Sequence, residues 1–305
     1  MMGGPRSRPL QNGGERADNP EVSLQEMSVN AVRPDPTQAD DLRRSVLFGL
    51  QLVDAESLAP VLAAVLSRNV RPDPDHLSVL VTPNVDIIVM LDGEPDSVEA
   101  DVFRRAQYVL PDGMPLVATS RFFGPALRAR LTGSGLFELL WPRLAAEERP
   151  TVVVCADDEL RLRLSATYPG AGFVVPPFFD GRSDEELGEV ADLVMADVDV
   201  ARTEYVLIGL GHPKDALLAN EILLRWPPGQ RPPLILGLGG SFAMYAGLTK
   251  RAPDFVQRIG AEWLYRFVQE PGRLFTRYFV RDIGFFGVLW REYRGVGRIR
   301  RERQS

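Results

Sequence analysis

An aspartate at the end of an apolar run is well placed for acid–base chemistry in this sequence. Asp112 ends the run VLPD before Gly113, and a carboxylate in such a turn can take a proton from an attacking hydroxyl. An aspartate before a glycine is also common in turns without a chemical role. Asn84 and Asp86, in the earlier run TPNVD, can either hydrogen-bond a sugar or order a turn. Local sequence leaves both interpretations open in each case.

Two glycine turns follow apolar runs later in the chain, GLGHPK from Gly209 and GLGGSF from Gly237. A glycine after a strand lets the backbone approach a ligand closely, and backbone N–H groups in such turns bind phosphate. The dinucleotide pattern GxGxxG fails in both turns, because Lys214 and Phe242 stand where its third glycine belongs. A P-loop motif is also missing from the sequence. The turns are therefore suited to a sugar nucleotide or another phosphate ligand.

Metal ligands are poorly represented in the sequence. His76 and His212 lie far apart and Cys155 is the one cysteine, so we predict neither a metal nor another cofactor. The residues Asp-Val-Asp at 197–199 resemble a metal-binding DxD motif, but their place at a helix end favours a cap or a solvated turn. A chain with one cysteine forms no internal disulfide, which is typical of a reducing compartment.

Charge is distributed unevenly along the chain. Residues 250–305 contain 13 Lys and Arg against 6 Asp and Glu, a net of +7, so the rest carries −6 − 7 = −13. Basic positions in residues 250–281 alternate with aromatic ones, which favours contact with a membrane surface; we predict no nucleic-acid partner. The sequence lacks a secretory signal and a run of roughly 18 apolar residues. We therefore expect a cytoplasmic protein, peripheral at the inner face of the cell membrane.

Short apolar runs alternate with helical patterns through most of the chain. This alternation predicts an α/β fold that is Rossmann-like, with a mostly parallel sheet flanked by helices and a basic helical C-terminal appendage. Predicted helices cover 55–67, with Asp54 as the cap, 114–123 and 134–146. Ligands of such sheets bind at the carboxyl ends of the strands, where the turns described above lie. The predicted divisions are a disordered segment 1–42, an α/β core 43–246, the appendage 247–290 and a basic tail 291–305.

The motifs taken together resemble the WecG/TagA/CpsF glycosyltransferase family over roughly residues 45–290. They are TPNVD, VLPDG, RLTGSGL, YPG, GLGHPK, GLGGSF, AGLTKRAP and GAEWLYRFVQEPGRLFTRY, in the family's order. The resemblance implies transfer of N-acetylmannosamine or a related sugar from UDP, with inversion, onto an acceptor linked to polyprenyl diphosphate. It implies Asp112 as general base, and Thr82 and Asn84 near the sugar and acceptor. It also implies that arginines of a membrane-touching appendage replace a metal beside the diphosphate.

These considerations give the expected site. The residues predicted to contact the substrates are Thr82, Asn84, Asp86, Gly209, Gly211, Lys214, Asp215, Gly237, Gly239, Gly240, Lys250, Arg251, Arg266, Arg273 and Arg277. Their partners are a nucleotide-diphosphate sugar, a UDP-sugar by the resemblance, and a lipid-linked or soluble hydroxyl acceptor. A homo-oligomer is compatible with the sequence, which defines neither the donor sugar nor the oligomeric state.

The sequence departs from the family pattern at several positions of the expected site. Gly135, Asp215, Ala216 and Ala243 stand where the family has an acid, a glutamine, a glutamate and an acid, respectively. The residues Ala-Asp-Asp-Glu at 156–159 replace a loop rich in glycine and proline. Three explanations follow: a different donor or acceptor, a relocated active site, or an inactive relative. The alternatives to the lipid-linked reaction are therefore transfer to a soluble natural-product acceptor and a catalytically inactive binding or scaffold protein.

Overall fold

Eight short strands rich in valine, leucine and isoleucine form one sheet in the computed structural model, which describes residues 42–68, 75–123, 126–181, 183–249 and 282–295. The strands are β1 (Arg44–Leu47), β2 (Leu50–Val53), β3 (Leu77–Val81), β4 (Ala106–Val109), β5 (Thr151–Val154), β6 (Gly172–Val174), β7 (Tyr205–Ile208) and β8 (Leu234–Gly237). Their order is β1-β2-β4-β3-β8-β7-β5-β6, and only β1 and β2 pair antiparallel. The predicted α/β fold with a mostly parallel sheet is confirmed.

The described helices begin mostly after a serine, threonine, asparagine or aspartate whose side chain accepts a backbone N–H of the first turn. They are α1 (Leu58–Ser67), α2 (Val85–Gly93), α3 (Val98–Arg105), α4 (Met114–Phe123), α5 (Gly133–Ala146), α6 (Asp158–Thr167), α7 (Asp184–Asp197), α8 (Lys214–Arg225), α9 (Ser241–Tyr245) and α10 (Asp282–Tyr293).

The predicted cap of the first helix is wrong. Ser57 is the N-cap of α1, and Asp54 lies three residues earlier, at the end of β2. The buried Asp54 carboxylate accepts the backbone N–H of Arg128 (2.9 Å) and pairs with the side chains of Arg43 and Arg128. The Asp54 carboxylate therefore binds Arg43 and Arg128 instead of capping α1.

The sheet has a hydrophobic core on each face. Successive residues of β3 show this, because Val79 and Val81 join one core and Leu80 joins the other. The first core packs under α2, α3, α4, α7, α8 and α10, and the second under α1, α5, α6 and α9. This continuous burial explains why the strands have uninterrupted apolar runs rather than alternating ones.

The last described helix packs against the amino-terminal hairpin and α2. The ring of Phe285 meets that of Phe48 edge-on at 5.7 Å, and Arg291 forms an ion pair with the buried Asp92. Within the described part of the chain, none of the helices is long and apolar enough to cross a membrane. The predicted disordered segment, most of the predicted appendage and most of the basic tail lie outside the described residues.

Candidate functional site

Asp112 lies at the carboxyl edge of the sheet, just beyond the end of β4. Its N–H donates to the Pro83 carbonyl (3.0 Å), which ties it to the turn after β3. Its half-buried carboxylate accepts the N–H of Gly133, the first residue of α5, at 3.3 Å. The amino end of a helix carries a positive partial charge, so α5 stabilises a negative charge on Asp112. An ionised carboxylate is the form that can act as a base.

Three elements meet around Gly133. A Cβ at this position would lie 3.2 Å from Thr82 Cγ2 and 3.3 Å from the hydroxyl oxygens of Thr82 and Ser241. A side chain at 133 would therefore be in tight contact with the turn after β3 and with the start of α9. The close approach brings Thr82, Asp112 and Ser241 together at one point of the sheet edge.

A cleft opens from this point between α5 and α9. Its volume is about 320 Å³, and it is lined by Ser134, Glu138, Ser241, Met244 and Tyr245. Burial, and to a smaller extent the charge of Glu138, raises the pKa of the Tyr245 phenol. The hydroxyl, carboxylate and phenol groups of this lining suit a polar ligand such as a sugar.

Asp215 joins the two glycine turns. Its carboxylate accepts the N–H groups of Leu210 (3.0 Å) and Gly211 (2.8 Å) after β7, and that of Gly239 (2.8 Å) after β8. Burial raises the pKa of Asp215 to about 6, although the three N–H donors and the nearby His212 act in the opposite direction. Two predicted ligand-facing glycines therefore direct their N–H groups to a protein carboxylate.

The remaining glycines of the turns have different surroundings. A Cβ on Gly209 would lie 2.3 Å from the ring of Phe242, so this position makes room for a core aromatic side chain. A Cβ on Gly237 would lie 3.1 Å from Cβ of Asp215. Gly240 is the N-cap of α9 and has open space around it. Of the predicted turn glycines, Gly240 is thus the one adjacent to the cleft residue Ser241.

Lys214 lies at the start of α8 but turns toward the segment after β6. Its ammonium group donates to the Phe179 carbonyl and lies 5.1 Å and 4.6 Å from the ring centroids of Phe178 and Phe179. These contacts place Lys214 beside the loop that follows β6 rather than beside Asp112.

The acidic residues after β5 form local interactions. Asp157 caps α6 by accepting the N–H of Leu160 at 2.8 Å, Asp158 pairs with Arg161, and Glu159 pairs with Arg163. Arg163 also donates to the Ala246 carbonyl, at the end of α9 (3.2 Å). The three carboxylates therefore stabilise α6, and Glu159 also holds the arginine that reaches α9.

The other departures fall at packed positions. A Cβ on Gly135 would lie 2.8 Å from both Leu58 Cδ1 and Thr132 Oγ1, so α1 occupies the space that a larger residue would need. Ala216 is buried in the first core, whereas Ala243 is half-buried in α9. Glycine at 135 and alanine at 216 therefore fit this chain's own packing.

The other predicted residues divide into two groups. Asn84 is the N-cap of α2 and accepts the N–H of Ile87 at 3.1 Å, while Asp86 is buried in the first turn of that helix. A second group lies outside the described residues: Lys250, Arg251, Arg266, Arg273 and Arg277. Among the residues described, no three His, Cys, Asp or Glu side chains converge as metal ligands.

None of the five cleft residues is among the residues predicted from the sequence. Ser241 follows directly after the second glycine turn, and Ser134 and Glu138 follow the cap Thr132 by two and six positions. Ser241 could have been found from its position in GLGGSF. Ser134, Glu138 and Tyr245 became candidates only when α5 and α9 were seen to face each other.

Comparison with known proteins identifies a family and a relative. The profile of the glycosyl transferase WecG/TagA/CpsF family matches residues 46–298. A curated relative from Bacillus spizizenii, named N-acetylglucosaminyldiphosphoundecaprenol N-acetyl-beta-D-mannosaminyltransferase, is 29% identical over 176 residues. The match covers 56% of this chain and 64% of the relative, somewhat less than two thirds of that protein's length.

Proposed function

Because the chain belongs to the WecG/TagA/CpsF glycosyl transferase family, we propose that it transfers a sugar from a UDP-sugar to a hydroxyl of an acceptor linked to polyprenyl diphosphate. The name of the relative, with its mannosaminyl donor group and undecaprenol-linked acceptor, supports an N-acetylmannosamine-like sugar. The observation that carries the proposal is the convergence of Asp112, Thr82 and Ser241 beside a polar cleft at the carboxyl edge of the sheet.

In the proposed reaction Asp112 is the general base. The acceptor oxygen attacks the anomeric carbon as its proton passes to the Asp112 carboxylate, and the bond from the anomeric carbon to the phosphate oxygen breaks. UDP leaves with the electron pair of that bond. Attack from the face opposite to the leaving group inverts the anomeric centre. The amino end of α5 favours the ionised base before the proton is transferred.

The departing UDP requires positive charge as its own negative charge grows. We propose that Arg266, Arg273 and Arg277 supply it without a metal, because a guanidinium group matches two phosphate oxygens at once. Lys250 and Arg251 belong to the same proposed set. The strongly basic composition of residues 250–305 supports this assignment.

The proposed membrane contact is supported by the outer face of α10. Phe286, Trp290 and Tyr293 are 74%, 56% and 74% exposed, whereas Phe285 and Val288 on the inner face are buried. The guanidinium of Arg294 lies 4.7 Å from the Trp290 ring centroid. Exposed aromatic rings with adjacent arginine suit the interface of a membrane that contains anionic lipids. We therefore propose a cytoplasmic protein held peripherally at the inner membrane face.

Activity is tested by incubating the protein with UDP-, GDP- and dTDP-sugars and either a polyprenyl-diphosphate-linked N-acetylglucosamine or soluble acceptors. We expect transfer from a UDP-sugar to the lipid-linked acceptor. Asp112→Asn should lower kcat by about 10²–10⁴-fold, as loss of a general base does. Asp192→Asn removes a carboxylate from the surface of α7 and should leave kcat unchanged. Transfer to soluble acceptors alone would refute the lipid-linked function, and full activity of Asp112→Asn would refute its role.

Membrane contact is tested by flotation with phosphatidylglycerol vesicles. Replacing both Phe286 and Trp290 with serine should weaken binding at least about tenfold, because two large apolar side chains leave the interface. Leu224→Ser changes an exposed apolar residue of α8 and serves as the matched control. Equal flotation of all variants would argue against α10 as the contact.

A further inference from the structure

Asp215 connects two turns that are distant in sequence and adjacent in space. Oδ1 accepts from Leu210 and Gly211, and Oδ2 accepts from Gly239, so each carboxylate oxygen serves a different turn. The side chain is buried, with 8% of the residue exposed. A buried carboxylate that accepts three backbone N–H groups fixes the two turns that donate to it relative to each other.

The turn held by Oδ2 leads directly into the cleft wall. Gly239 is followed by Gly240, the cap of α9, and by Ser241, whose hydroxyl lies against the Thr82–Gly133 contact. Ser241, Met244 and Tyr245 then form one wall of the cleft. The position of this wall relative to α5 thus depends on where the Gly239 amide is fixed.

We propose that Asp215 is the positioning residue of the donor cleft: it ties the turn after β8 to the turn after β7 and so fixes the α9 wall opposite α5. The assignment of this cleft to the sugar donor rests on the function proposed above. In this role Asp215 acts through α9, and the substrate meets Ser241 and Tyr245.

The same contacts limit where the donor diphosphate can bind. The N–H groups of Gly211 and Gly239 are occupied by Asp215, and a phosphate beside them would also face a buried carboxylate. The neighbouring basic side chains are directed elsewhere: His212 Nδ1 is 2.7 Å from Glu99 Oε1, and Lys214 donates to the Phe179 carbonyl. The Gly211 and Gly239 amides are therefore unsuited to bind the donor diphosphate.

The substitution Asp215→Asn tests the contact with Gly239 separately from the contacts with Leu210 and Gly211. Asparagine keeps Oδ1 as an acceptor for Leu210 and Gly211 but places an NH₂ group opposite the Gly239 N–H, so two donors face each other. Asp215→Ala removes all three hydrogen bonds. Asp192→Asn, on α7 with its partner Arg225 on α8, removes the same charge from the surface and is the control.

Hydrogen exchange measured by mass spectrometry tests the connection without any substrate. In Asp215→Asn, residues 236–245 should exchange about tenfold faster, the effect of losing one charge-assisted hydrogen bond, while residues 205–212 change less than about twofold. Asp215→Ala should accelerate both segments, and Asp192→Asn neither. Unchanged exchange of residues 236–245 in Asp215→Asn would overturn the proposal.

Donor kinetics test the positioning role. Asp215→Asn should raise KM for the UDP-sugar about tenfold and change kcat less than about threefold, because the binding wall moves while Asp112 remains in place. Unchanged KM together with faster exchange would show a purely structural residue and refute positioning. A wild-type protein that binds no nucleotide sugar would refute the proposed function itself, and hydrogen exchange alone would then decide whether Asp215 ties the turns.

Discussion

Gly209→Ala tests whether the first glycine turn is shaped by core packing. The added Cβ would lie 2.3 Å from Cδ2 and 2.6 Å from Cε2 of Phe242. Carbon atoms prefer separations of about 3.5–4.0 Å, so the ring must move by more than about 1 Å. Phe242 is fully buried and stacks on Phe137 at 4.4 Å, which leaves it no open side.

The expected cost is at the upper end of the range for overpacking, about 3 kcal/mol. For a folded chain of this size such a loss lowers Tm by about 6–10 °C. Thermal unfolding followed by circular dichroism measures the shift. Gly93→Ala, at the end of α2 with no atom within 4 Å of the new Cβ, is the control and should change stability by less than about 1 kcal/mol.

The double variant Gly209→Ala/Phe242→Leu checks the cause. Leucine lacks the ring atoms that the new Cβ would meet, so the two substitutions should couple favourably by at least about 1 kcal/mol. Wild-type stability of Gly209→Ala would refute the packing argument. A double variant whose losses simply add would show that Phe242 is not the group displaced.

Two further predictions concern the same region. Thr132→Ala removes the hydroxyl that accepts the Gly135 N–H at 3.0 Å, and urea unfolding should show a loss of about 1 kcal/mol that Thr132→Ser largely restores; equal stability of all three proteins would contradict the cap. The folded-state pKa of Asp215 is raised from 3.8 to about 6, so its contribution to stability is present below pH 4 and is lost as pH rises through 6. The free energy of unfolding of the wild type relative to Asp215→Asn should therefore fall by about 2 kcal/mol from pH 4 to pH 7, most of the roughly 3 kcal/mol that 2.2 pKa units represent; parallel pH curves for the two proteins would contradict this.

The sheet could be predicted largely from sequence, because buried parallel strands require uninterrupted apolar runs. TVVV and YVLI became β5 and β7, and the helix predicted over 114–123 has those bounds in the structure. The apolar run SVLFGLQLV at 45–53 shows no turn by its pattern, yet Phe48 and Gly49 adopt φ of 53° and 74° and divide it into β1 and β2. An apolar run predicts that a segment is buried, but it does not show whether the segment forms one strand or two.

The place of Asp112 at a strand end could be predicted from sequence, and the structure has it just beyond β4; its role, like that of Thr82, stays a prediction. The contacts of Asp215 could not be predicted, because its partner Gly239 follows a different strand and becomes a neighbour only when β7 and β8 pair. The cleft could not be predicted for the same reason, because Ser134 on α5 and Tyr245 on α9 become neighbours only in the folded chain. The contribution of Lys250 and the predicted arginines stays a prediction.

The edge-on contact between Phe48 and Phe285 has a consequence for synthesis of the protein. Phe48 belongs to the first described hairpin and Phe285 to the last described helix, so the earliest part of the core is completed by the latest part of the chain. While the ribosome is still producing the central strands, the inner face of that hairpin has no α10 to cover it. Contacts between distant segments form slowly and leave apolar surface exposed meanwhile. Nascent chains halted before α10 should therefore depend on chaperones more than the finished protein does.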